Sequence, residues 1–563
     1  KKGHVRVNHI PFYDVVLMVA GAGPFLYFAA NAQKILLTSY SVISKDPFML
    51  ALAIMAILVL VELCRRCVGL PILFVVGALL IYTFSNVRFG KVIYDLFYTT
   101  NGVMNTPINV CQKYIVVFII FGAFLERTSI SAFFIDLANC VAGSSCGGPA
   151  KVAVISSALC GMVSGSSVGN TVTTGSVTIP MMIKTGYKPE FAGAVEAAAS
   201  TGGQIMPPIM GAAAFLMAEY TGIPYSRIAV LAILPAILYF AGIYIAVHLE
   251  AKKLGLQGLD KDSLPKFSYL VKKLYLLAPL VVLVVLVFNG TRTMQSSAAI
   301  AILVTIVVGL FNSDNRISLG KIIDALEAGG KGTITVASAC TMAGIVAGCI
   351  TSTGLASKLL RAIVSASGGV MIIALLLTMV CCIVLGMGVP TTATYCIMAA
   401  TCAPILMSPE IGVEMLAAHF FVFYFGIVAD ITPPVALAAY AGAAIAKAGP
   451  MKTAFNASRL AIAAFIVPYI IAMNPAMLFI NTTAPEVVMI TITSIIGIFG
   501  VAAGLSGFVF RNMKWWERIL CIVGGLTLLV PGSLTDLIGL VLVGAVCVLG
   551  YQAAKKEKEV LVV

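Results

Sequence analysis

Two stretches rich in glycine, serine and threonine interrupt apolar runs of this sequence, and each is followed by a Pro–Pro pair. The first is SGSSVGNTVTTGSVTIP (164–180) with STGGQIMPPIMG (200–211), and the second is GMGVPTTATYCIMAATCAP (386–404) with ADITPPVALAAY (429–440). Proline has no backbone N–H and clashes with the carbonyl four residues earlier. Carbonyls near Gly203–Met206 and Ala429–Thr432 are therefore expected to lie outside helical hydrogen bonding, where they can bind a hard cation such as Na⁺.

Each glycine-rich stretch is too broken for one straight helix and is interpreted as a re-entrant hairpin. The tips are expected near Gly165–Gly169 and Gly386–Pro390. Lipid cannot satisfy irregular backbone, so these breaks must face protein or a watery cavity. Helix N-termini that open there would favour an anionic solute group. Candidates for contact with that solute are the polar side chains of Asn170, Thr171, Thr174, Thr392, Thr394 and Asp430.

Other interpretations of the same residues remain open. Gly, Ser and Thr also let helices pack closely, although that explains a duplicated pattern poorly. GSSVG (165–169) matches the G-x-S-x-G pattern of hydrolases and would make Ser167 the nucleophile of an intramembrane protease, with His419 as the base. Asp430 either contacts a ligand or makes a helix-cap or interhelical bond at the break. Glu196 is expected to bond the hairpin internally.

The elements that position these residues are expected to be membrane helices. The chain has 563 residues, of which 60% are hydrophobic and 10% charged, and its mean hydropathy is +1.04. A soluble domain carries about 25% charged residues, so most of this surface must face lipid. We expect an all-α, multi-pass protein of the bacterial inner membrane, surrounded by lipid, and no nucleic-acid binding. Apolar spans are predicted at 13–31, 48–64, 70–85, 114–126, 131–142, 150–162, 226–248, 274–289, 296–311, 333–350, 370–385, 458–473, 487–510, 519–533 and 536–550.

The formal net charge is +13, and basic residues of membrane proteins gather in cytoplasmic loops. We therefore place four basic clusters inside the cell: Arg65–Arg66; Lys252–Lys253 through Lys273; Arg511, Lys514 and Arg518; and Lys555, Lys556 and Lys558.

An internal repeat connects the two broken regions. Pro180 corresponds to Pro404, and the pair Pro207–Pro208 corresponds to Pro433–Pro434 at almost the same offset along the chain. Paired discontinuous segments in two halves are the best sequence indication of a secondary-transporter site. We predict inverted repeats at about 113–250 and 330–450. No P-loop motif is found, which disfavours ATP-driven transport by this chain alone.

Several motifs resemble the large membrane subunit of tripartite ATP-independent periplasmic (TRAP) transporters. They are SGSSVGN, STGGQIMPP, FLERTSISAFF (124–134) and DITPPVALAAY, and the resemblance runs from about residue 70 to about 475. The segment 11–67, with HIPFYD (9–14) at its start, is similar to the end of the small membrane subunit. The whole resembles the fused permease of the subtype served by TAXI-type binding proteins. We thus divide the chain into 1–67, with earlier small-subunit helices missing before Lys1; 68–475; and additional C-terminal helices at 476–563.

The resemblance implies an elevator mechanism, Na⁺ as the coupling ion with no other cofactor, and a separate periplasmic binding protein. The family's sodium ligands carry over to matching positions. Site 1 would use Ser164, Ser166, Gly203, Met206 and Pro208. Site 2 would use Gly386, Gly388, Thr391, Ala429, Thr432 and Pro434. Pro390 departs from the commoner family pattern near the second tip, which weakens the assignment of site 2.

The favoured hypothesis is a Na⁺-coupled symporter permease, not an enzyme, for a small organic anion such as a carboxylate or dicarboxylate. A stand-alone ion or anion conduit is the alternative. The solute, the Na⁺ stoichiometry, possible H⁺ coupling, the oligomeric state and the number of spans do not follow from the sequence.

Overall fold

The computed structural model describes residues 10–312 and 315–562, and helices make up most of that part of the chain. The first nine residues of the predicted segment 1–67, which include His9 of the HIPFYD motif, lie outside the described residues. Among the described residues, the only β pairing is one antiparallel bridge between Phe508 and Asn512.

The helices of the N-terminal part are α1 (Phe12–Ala30), α2 (Ala32–Leu37), α3 (Tyr40–Ile43), α4 (Pro47–Cys67), α5 (Leu70–Asn86), α6 (Phe89–Phe97) and α7 (Thr106–Val110). A short π-helix, Cys111–Ile115, leads into α8 (Val116–Glu126). Then follow α9 (Ile130–Ala142), α10 (Gly148–Ser164), α11 (Ser167–Lys184), α12 (Pro189–Gly202), α13 (Ala213–Thr221), α14 (Tyr225–Leu254), α15 (Phe267–Lys272), α16 (Ala278–Phe288) and α17 (Met294–Phe311).

The later helices begin with α18 (Leu319–Thr353), α19 (Leu355–Ser367), α20 (Met371–Gly386), α21 (Thr391–Thr401), α22 (Ala403–Leu406) and α23 (Met415–Val428). They continue with α24 (Leu437–Ala446), α25 (Pro450–Leu460), α26 (Ile462–Met473), α27 (Ala484–Ser506), α28 (Trp515–Thr527) and α29 (Ser533–Val562).

Every predicted apolar span overlaps a helix, and several differ clearly at their ends. The span 333–350 is the second half of the longer α18, and the span 519–533 continues past the end of α28. The span 487–510 overshoots because α27 ends at Ser506, where Gly507 turns into the left-handed region (φ +67°). In the described part of the chain, nine helical segments are long and apolar enough to cross a membrane. Shorter apolar helices, among them α10, α20, α23 and α24, accompany them.

Two compact units divide the chain. The described residues of Lys1–Gln112, together with Ile334–Leu359, form the first unit. In it, α1 and α6 pack on α4, and the Tyr98 hydroxyl donates to the Met49 carbonyl at 2.8 Å. Ser352 of α18 donates to the Asp95 carboxylate at 3.1 Å, which joins the two stretches of chain within this unit.

The second unit comprises the described residues of Lys113–Thr333 and Leu360–Val563. Its centre is α12, which packs against α10, α11, α24 and α25. The sequence of α12 is dominated by small residues, and every residue from Phe191 to Gly202 is buried. Small residues allow close approach of neighbouring helices: a Cβ built on Gly193 would lie 2.9 Å from the Gly442 carbonyl oxygen of α24.

The predicted repeat corresponds to the same order of elements in both halves of the sequence. The helices α9, α11, α12 and α13 have counterparts in α19, α21, α23 and α24, and the offset along the chain is nearly constant. Each half has a helical hairpin, a helix that ends before a Pro–Pro pair, and a second helix after it. Both Pro–Pro bonds are cis.

Candidate functional site

The first hairpin consists of α10 and α11, which pack against each other. Its tip is a single turn: Gly165 adopts φ +61°, a conformation that glycine takes without steric cost. Ser166 then caps α11, because its hydroxyl accepts a hydrogen bond from the Gly169 N–H at 3.2 Å. The predicted tip position is confirmed. Ser166 itself is exposed.

The tip lies directly against the first Pro–Pro segment. A Cβ built on Gly165 would be 2.7 Å from the Met210 carbonyl oxygen, and one built on Gly161 would be 2.5 Å from the Gly203 Cα. Only glycine fits such a backbone-to-backbone approach. The structure therefore brings Ser164 and Ser166 next to the 203–210 backbone, as the proposed site 1 requires.

The carbonyls of this first break are only partly available to a ligand. A 3₁₀ turn over Gly203–Ile205 continues the helix, so the Met206 N–H donates to the Gly203 carbonyl at 3.2 Å. The Pro208 carbonyl accepts from the Tyr225 hydroxyl at 2.9 Å. Among the described residues, nothing donates to the Met206 carbonyl. The expectation that these carbonyls lie outside helical hydrogen bonding is thus wrong for Gly203, because the tighter turn supplies a local donor.

The second hairpin consists of α20 and α21, joined by a short turn in which Gly388 has φ +71°. The predicted tip near Gly386–Pro390 is confirmed, and Pro390 precedes the first residue of α21. A Cβ built on Gly386 would lie 2.9 Å from the Ala429 Cβ. This hairpin therefore contacts the second break as closely as the first hairpin contacts the first break.

In the second break, as in the first, some carbonyl oxygens accept hydrogen bonds and others do not. No donor among the described residues reaches the Ala429 carbonyl, whereas the Thr432 carbonyl accepts from the Ala436 N–H at 3.2 Å. The expectation of a carbonyl outside helical hydrogen bonding is therefore wrong for Thr432, because the N–H four residues later lies within reach. The hydroxyl of Thr432 donates to the Val428 carbonyl at 2.8 Å. The Pro434 carbonyl accepts from the Tyr440 hydroxyl. Each carbonyl that accepts one bond keeps a second lone pair, so these atoms can still bind a cation.

The Asp430 side chain accepts hydrogen bonds from both halves of the sequence. It is 6% exposed, and its Oδ2 accepts from the Ser167 hydroxyl at 2.6 Å, the Thr391 hydroxyl at 3.0 Å and the Gln204 amide at 3.3 Å. Ser167 and Thr391 are the first residues of α11 and α21, and Gln204 lies in the first break. Asp430 is an interhelical acceptor, one of the two roles weighed from the sequence. Gln204 was missed there, although it is the only amide side chain in STGGQIMPPIMG.

Glu196 of α12 accepts hydrogen bonds from both arms of the first hairpin. The side chain is fully buried and accepts from the hydroxyls of Ser157 at 2.5 Å and Ser200 at 3.1 Å. The hydroxyls of Thr174 and Thr178 on α11 also donate to this carboxylate. The expectation that Glu196 bonds the hairpin internally is confirmed. Thr174, a candidate for substrate contact, thus has its hydroxyl engaged within the hairpin.

Two oxygens of the first hairpin have no partner. Ser164 Oγ and Asn170 Oδ1 are buried and accept or donate no hydrogen bond among the described residues. The Asn170 amide is oriented by its Nδ2, which donates to the Ser157 carbonyl at 2.9 Å. Both residues line a cavity of about 10 Å³, together with Glu126, Ser131 and Thr173. A volume of that size holds about one water-sized sphere.

The remaining candidates for substrate contact are three threonines, two of which bond to the backbone of their own hairpin. The Thr171 hydroxyl donates to the Ser167 carbonyl at 2.8 Å, and the Thr394 hydroxyl donates to the Val389 carbonyl at 3.1 Å. Thr392 is 8% exposed. These three side chains lie in the second arms of the hairpins, close to the turns, rather than in an open cleft.

The protease interpretation finds no catalytic geometry among the described residues. The Ser167 hydroxyl donates to Asp430, whereas His419 Nδ1 shares a hydrogen bond of 2.8 Å with the Tyr395 hydroxyl. A serine nucleophile needs a base within hydrogen-bond reach, and Ser167 is paired with a different group.

The family model for the tripartite ATP-independent periplasmic transporter, DctM component, matches residues 54–486. The chain belongs to this family. The family is one of transporter permeases, not of enzymes. With its nine apolar helical segments in the described residues, the chain is a multi-pass protein of the inner membrane. A second model, described as a domain of unknown function (DUF3394), matches residues 487–540.

Three curated relatives are similar to this chain. The isethionate TRAP transporter permease DctMQ of Oleidesulfovibrio alaskensis is 24% identical over 376 residues, which are 66% of this chain and 56% of that protein. The C4-dicarboxylate TRAP transporter large permease DctM of Pseudomonas aeruginosa is 26% identical over 34% of this chain and 45% of that protein. A putative large permease of Haemophilus influenzae is 25% identical over 56% of this chain and 74% of that protein.

The chain thus spans about half the length of the first two relatives. A solved structure, that of the Alcanivorax borkumensis YdaH transporter, is similar with a TM-score of 0.45 and 15% identity over 67% of this chain and 88% of that one. A likeness at that level carries no further conclusion.

Proposed function

We propose that the chain is a Na⁺-coupled secondary transporter that imports a small organic anion, a carboxylate or a dicarboxylate, without ATP. The observation that carries the proposal is the duplicated module: a helical hairpin whose tip touches a helix interrupted at a Pro–Pro pair. In each module a proposed ligand carbonyl, that of Met206 or of Ala429, accepts no hydrogen bond from a described residue. Oxygen ligands without competing cations suit a hard monovalent ion.

Site 1 would comprise Ser164 and Ser166 with the carbonyls of Gly203, Met206 and Pro208. The buried, unpartnered hydroxyl of Ser164 supports this assignment, because an unpaired buried oxygen costs about 1–3 kcal/mol unless something binds it. Site 2 would comprise Gly386, Gly388 and Thr391 with Ala429, Thr432 and Pro434. The close approach of Gly386 to Ala429 supports that set.

The solute is proposed to bind between the hairpins, near the N-termini of α11 and α21. Helix N-termini favour anions. The residues proposed to contact the solute are Asn170, Thr171, Thr174, Thr392, Thr394 and Asp430. We also propose an elevator movement of the inverted repeats, a TAXI-type periplasmic binding protein as the partner, and the division 1–67, 68–475 and 476–563. The names of two relatives, an isethionate and a C4-dicarboxylate permease, support an anionic solute.

The test is uptake into proteoliposomes that contain the full chain, together with a secreted solute-binding protein encoded beside it. Radiolabelled succinate and isethionate serve as probes. Uptake is expected to need an inward Na⁺ gradient and the binding protein, to saturate with solute, and to need no ATP. Unchanged uptake with K⁺ in place of Na⁺ would contradict the Na⁺ coupling. Non-saturating flux without the binding protein would instead favour a conduit.

A further inference from the structure

One carboxylate oxygen connects every broken element of the candidate site. Oδ2 of Asp430 accepts from Ser167, the first residue of α11, and from Thr391, the first residue of α21. It also accepts from Gln204 in the first break, while Asp430 itself lies in the second. The three donors come from three different segments, and none is a cation.

We propose that Asp430 is a positioning residue that couples the two sodium sites, so that an ion bound at one site favours binding at the other. The inference rests on the proposed function, because it takes the two Na⁺ sites as given. Ser167 directly follows Ser166, which is assigned to the first site, and Thr391 is itself assigned to the second. Asp430 lies between Ala429 and Thr432, which also belong to the second site. It is therefore adjacent, in sequence or in space, to both sets of ligands.

The physical basis is shared preorganisation. An ion at site 1 orders the turn at Gly165–Ser166, which fixes the Ser167 hydroxyl against Asp430. A fixed Asp430 in turn holds Thr391 and the backbone on either side of it in the arrangement that site 2 needs. The second ion then binds without the ordering cost, which is positive cooperativity between sites. Such coupling is reciprocal and typically changes affinity about 5–150-fold.

A helix-cap role would not produce this arrangement. A capping carboxylate accepts from N–H groups of its own first turn, whereas the partners of the Asp430 side chain are 39 to 263 residues away in the sequence. The long range of these bonds indicates that the side chain connects segments rather than ending one.

The charge of Asp430 and its connecting role can be separated by mutation. Ser167→Ala keeps the charge and every proposed sodium ligand but disconnects the first hairpin from Asp430. Ser167→Thr restores a hydroxyl. Asp430→Asn removes the charge as well as a strong acceptor. Ser176→Ala is the matched control: it lies on the same helix, and its hydroxyl only donates to the Thr173 carbonyl, at 2.9 Å.

The experiment measures equilibrium binding of radioactive Na⁺ to the purified full chain in detergent, with K⁺ replacing Na⁺ at constant ionic strength. Thermal unfolding in K⁺ identifies variants that do not fold. We expect a Hill coefficient between 1 and about 2 for the wild type, since two sites set the upper limit. Ser167→Ala should bring the coefficient to about 1 and raise the half-saturating Na⁺ concentration about fivefold or more.

Ser167→Thr and Ser176→Ala should keep the wild-type curve. Asp430→Asn should lose cooperativity and bind Na⁺ more weakly than Ser167→Ala, because the negative charge is gone as well. If Ser167→Ala does not fold, Gln204→Met, which removes another donor to the same oxygen, takes its place with the same expectation.

Three outcomes would overturn the inference. A folded Ser167→Ala variant with the wild-type Hill coefficient shows that the connection does not couple the sites, while the proposed function stands. A wild type with two sites and a coefficient of 1 has the same consequence. A wild type that binds no Na⁺ above the K⁺ background removes the Na⁺ coupling of the proposed function, and the inference with it.

Discussion

Replacing Ser164 by alanine separates a sodium ligand from a packing residue, because the two roles predict effects of opposite sign. The Ser164 hydroxyl is buried and has no hydrogen-bond partner among the described residues. If it only packs, its removal relieves an unsatisfied polar group that costs about 1–3 kcal/mol. The variant should then be as stable as the wild type or more stable, whichever cation is present. If the hydroxyl binds Na⁺, the variant should gain stability only in K⁺.

The magnitude in Na⁺ follows from linkage. Removal of one ligand from a desolvated cation is comparable to loss of a hydrogen bond to a charged group, about 1.5–3 kcal/mol, so Na⁺ should bind about tenfold more weakly or worse. At a Na⁺ concentration of about 100 times the wild-type Kd, bound ion stabilises the wild type by about 2.7 kcal/mol. A tenfold weaker site gives about 1.4 kcal/mol under the same conditions. Half of the Na⁺-dependent stabilisation should therefore disappear.

The assay is thermal unfolding of the full chain in detergent across a Na⁺ titration, with K⁺ keeping the ionic strength constant. Ser156→Ala is the matched control, because Ser156 is also buried on α10 but its hydroxyl donates to the Ala153 carbonyl at 3.3 Å. The control should leave the Na⁺ dependence unchanged. A Ser164→Ala variant whose Na⁺ titration coincides with that of the wild type would refute the assignment of Ser164 to site 1.

Three further predictions concern the hairpin and the topology. Gly161→Ala places a Cβ 2.5 Å from the Gly203 Cα and should destabilise the protein by about 1–3 kcal/mol, measured as a lower Tm; an unchanged Tm would contradict the close approach. Glu196→Ala removes the buried carboxylate to which four hydroxyls donate and should cost about 3 kcal/mol or more, equally in Na⁺ and K⁺, whereas a loss confined to Na⁺ would make Glu196 part of a sodium site. Cysteines at the exposed positions Lys266 and Lys556 should be protected from an impermeant reagent added outside the cell; labelling at either from outside would reverse the proposed topology.

The candidate site could be predicted as a set of segments but not as a set of contacts. The sequence indicated both hairpin tips and both Pro–Pro breaks, because glycine and proline act on the backbone locally. It did not show that the 3₁₀ turn after Gly202 pairs the Gly203 carbonyl with the Met206 N–H. Whether a particular carbonyl stays free depends on which donor is nearest in space, and spacing along the chain does not contain that information.

Ser167 illustrates the limit for side chains. From the sequence, Ser167 was part of a match to a hydrolase pattern, and Gln204 was not a candidate. In the structure both donate to Asp430, which lies 263 and 226 residues away from them, respectively. A hydrogen bond over that separation needs the two halves to be packed together, and low identity between the halves leaves no local signal of it.

By itself, the sequence determined the class of protein, the helices and the duplicated order of elements. Hydropathy, helix-breaking residues and a constant offset are properties of single segments, and the bilayer permits few alternatives to a helix for each. Only the tertiary structure decided which oxygens are paired, which hydroxyls donate to Glu196, and that Asp430 accepts from both hairpins. Those contacts arise from the packing of small-residue faces such as that of α12, whose geometry depends on every neighbour at once.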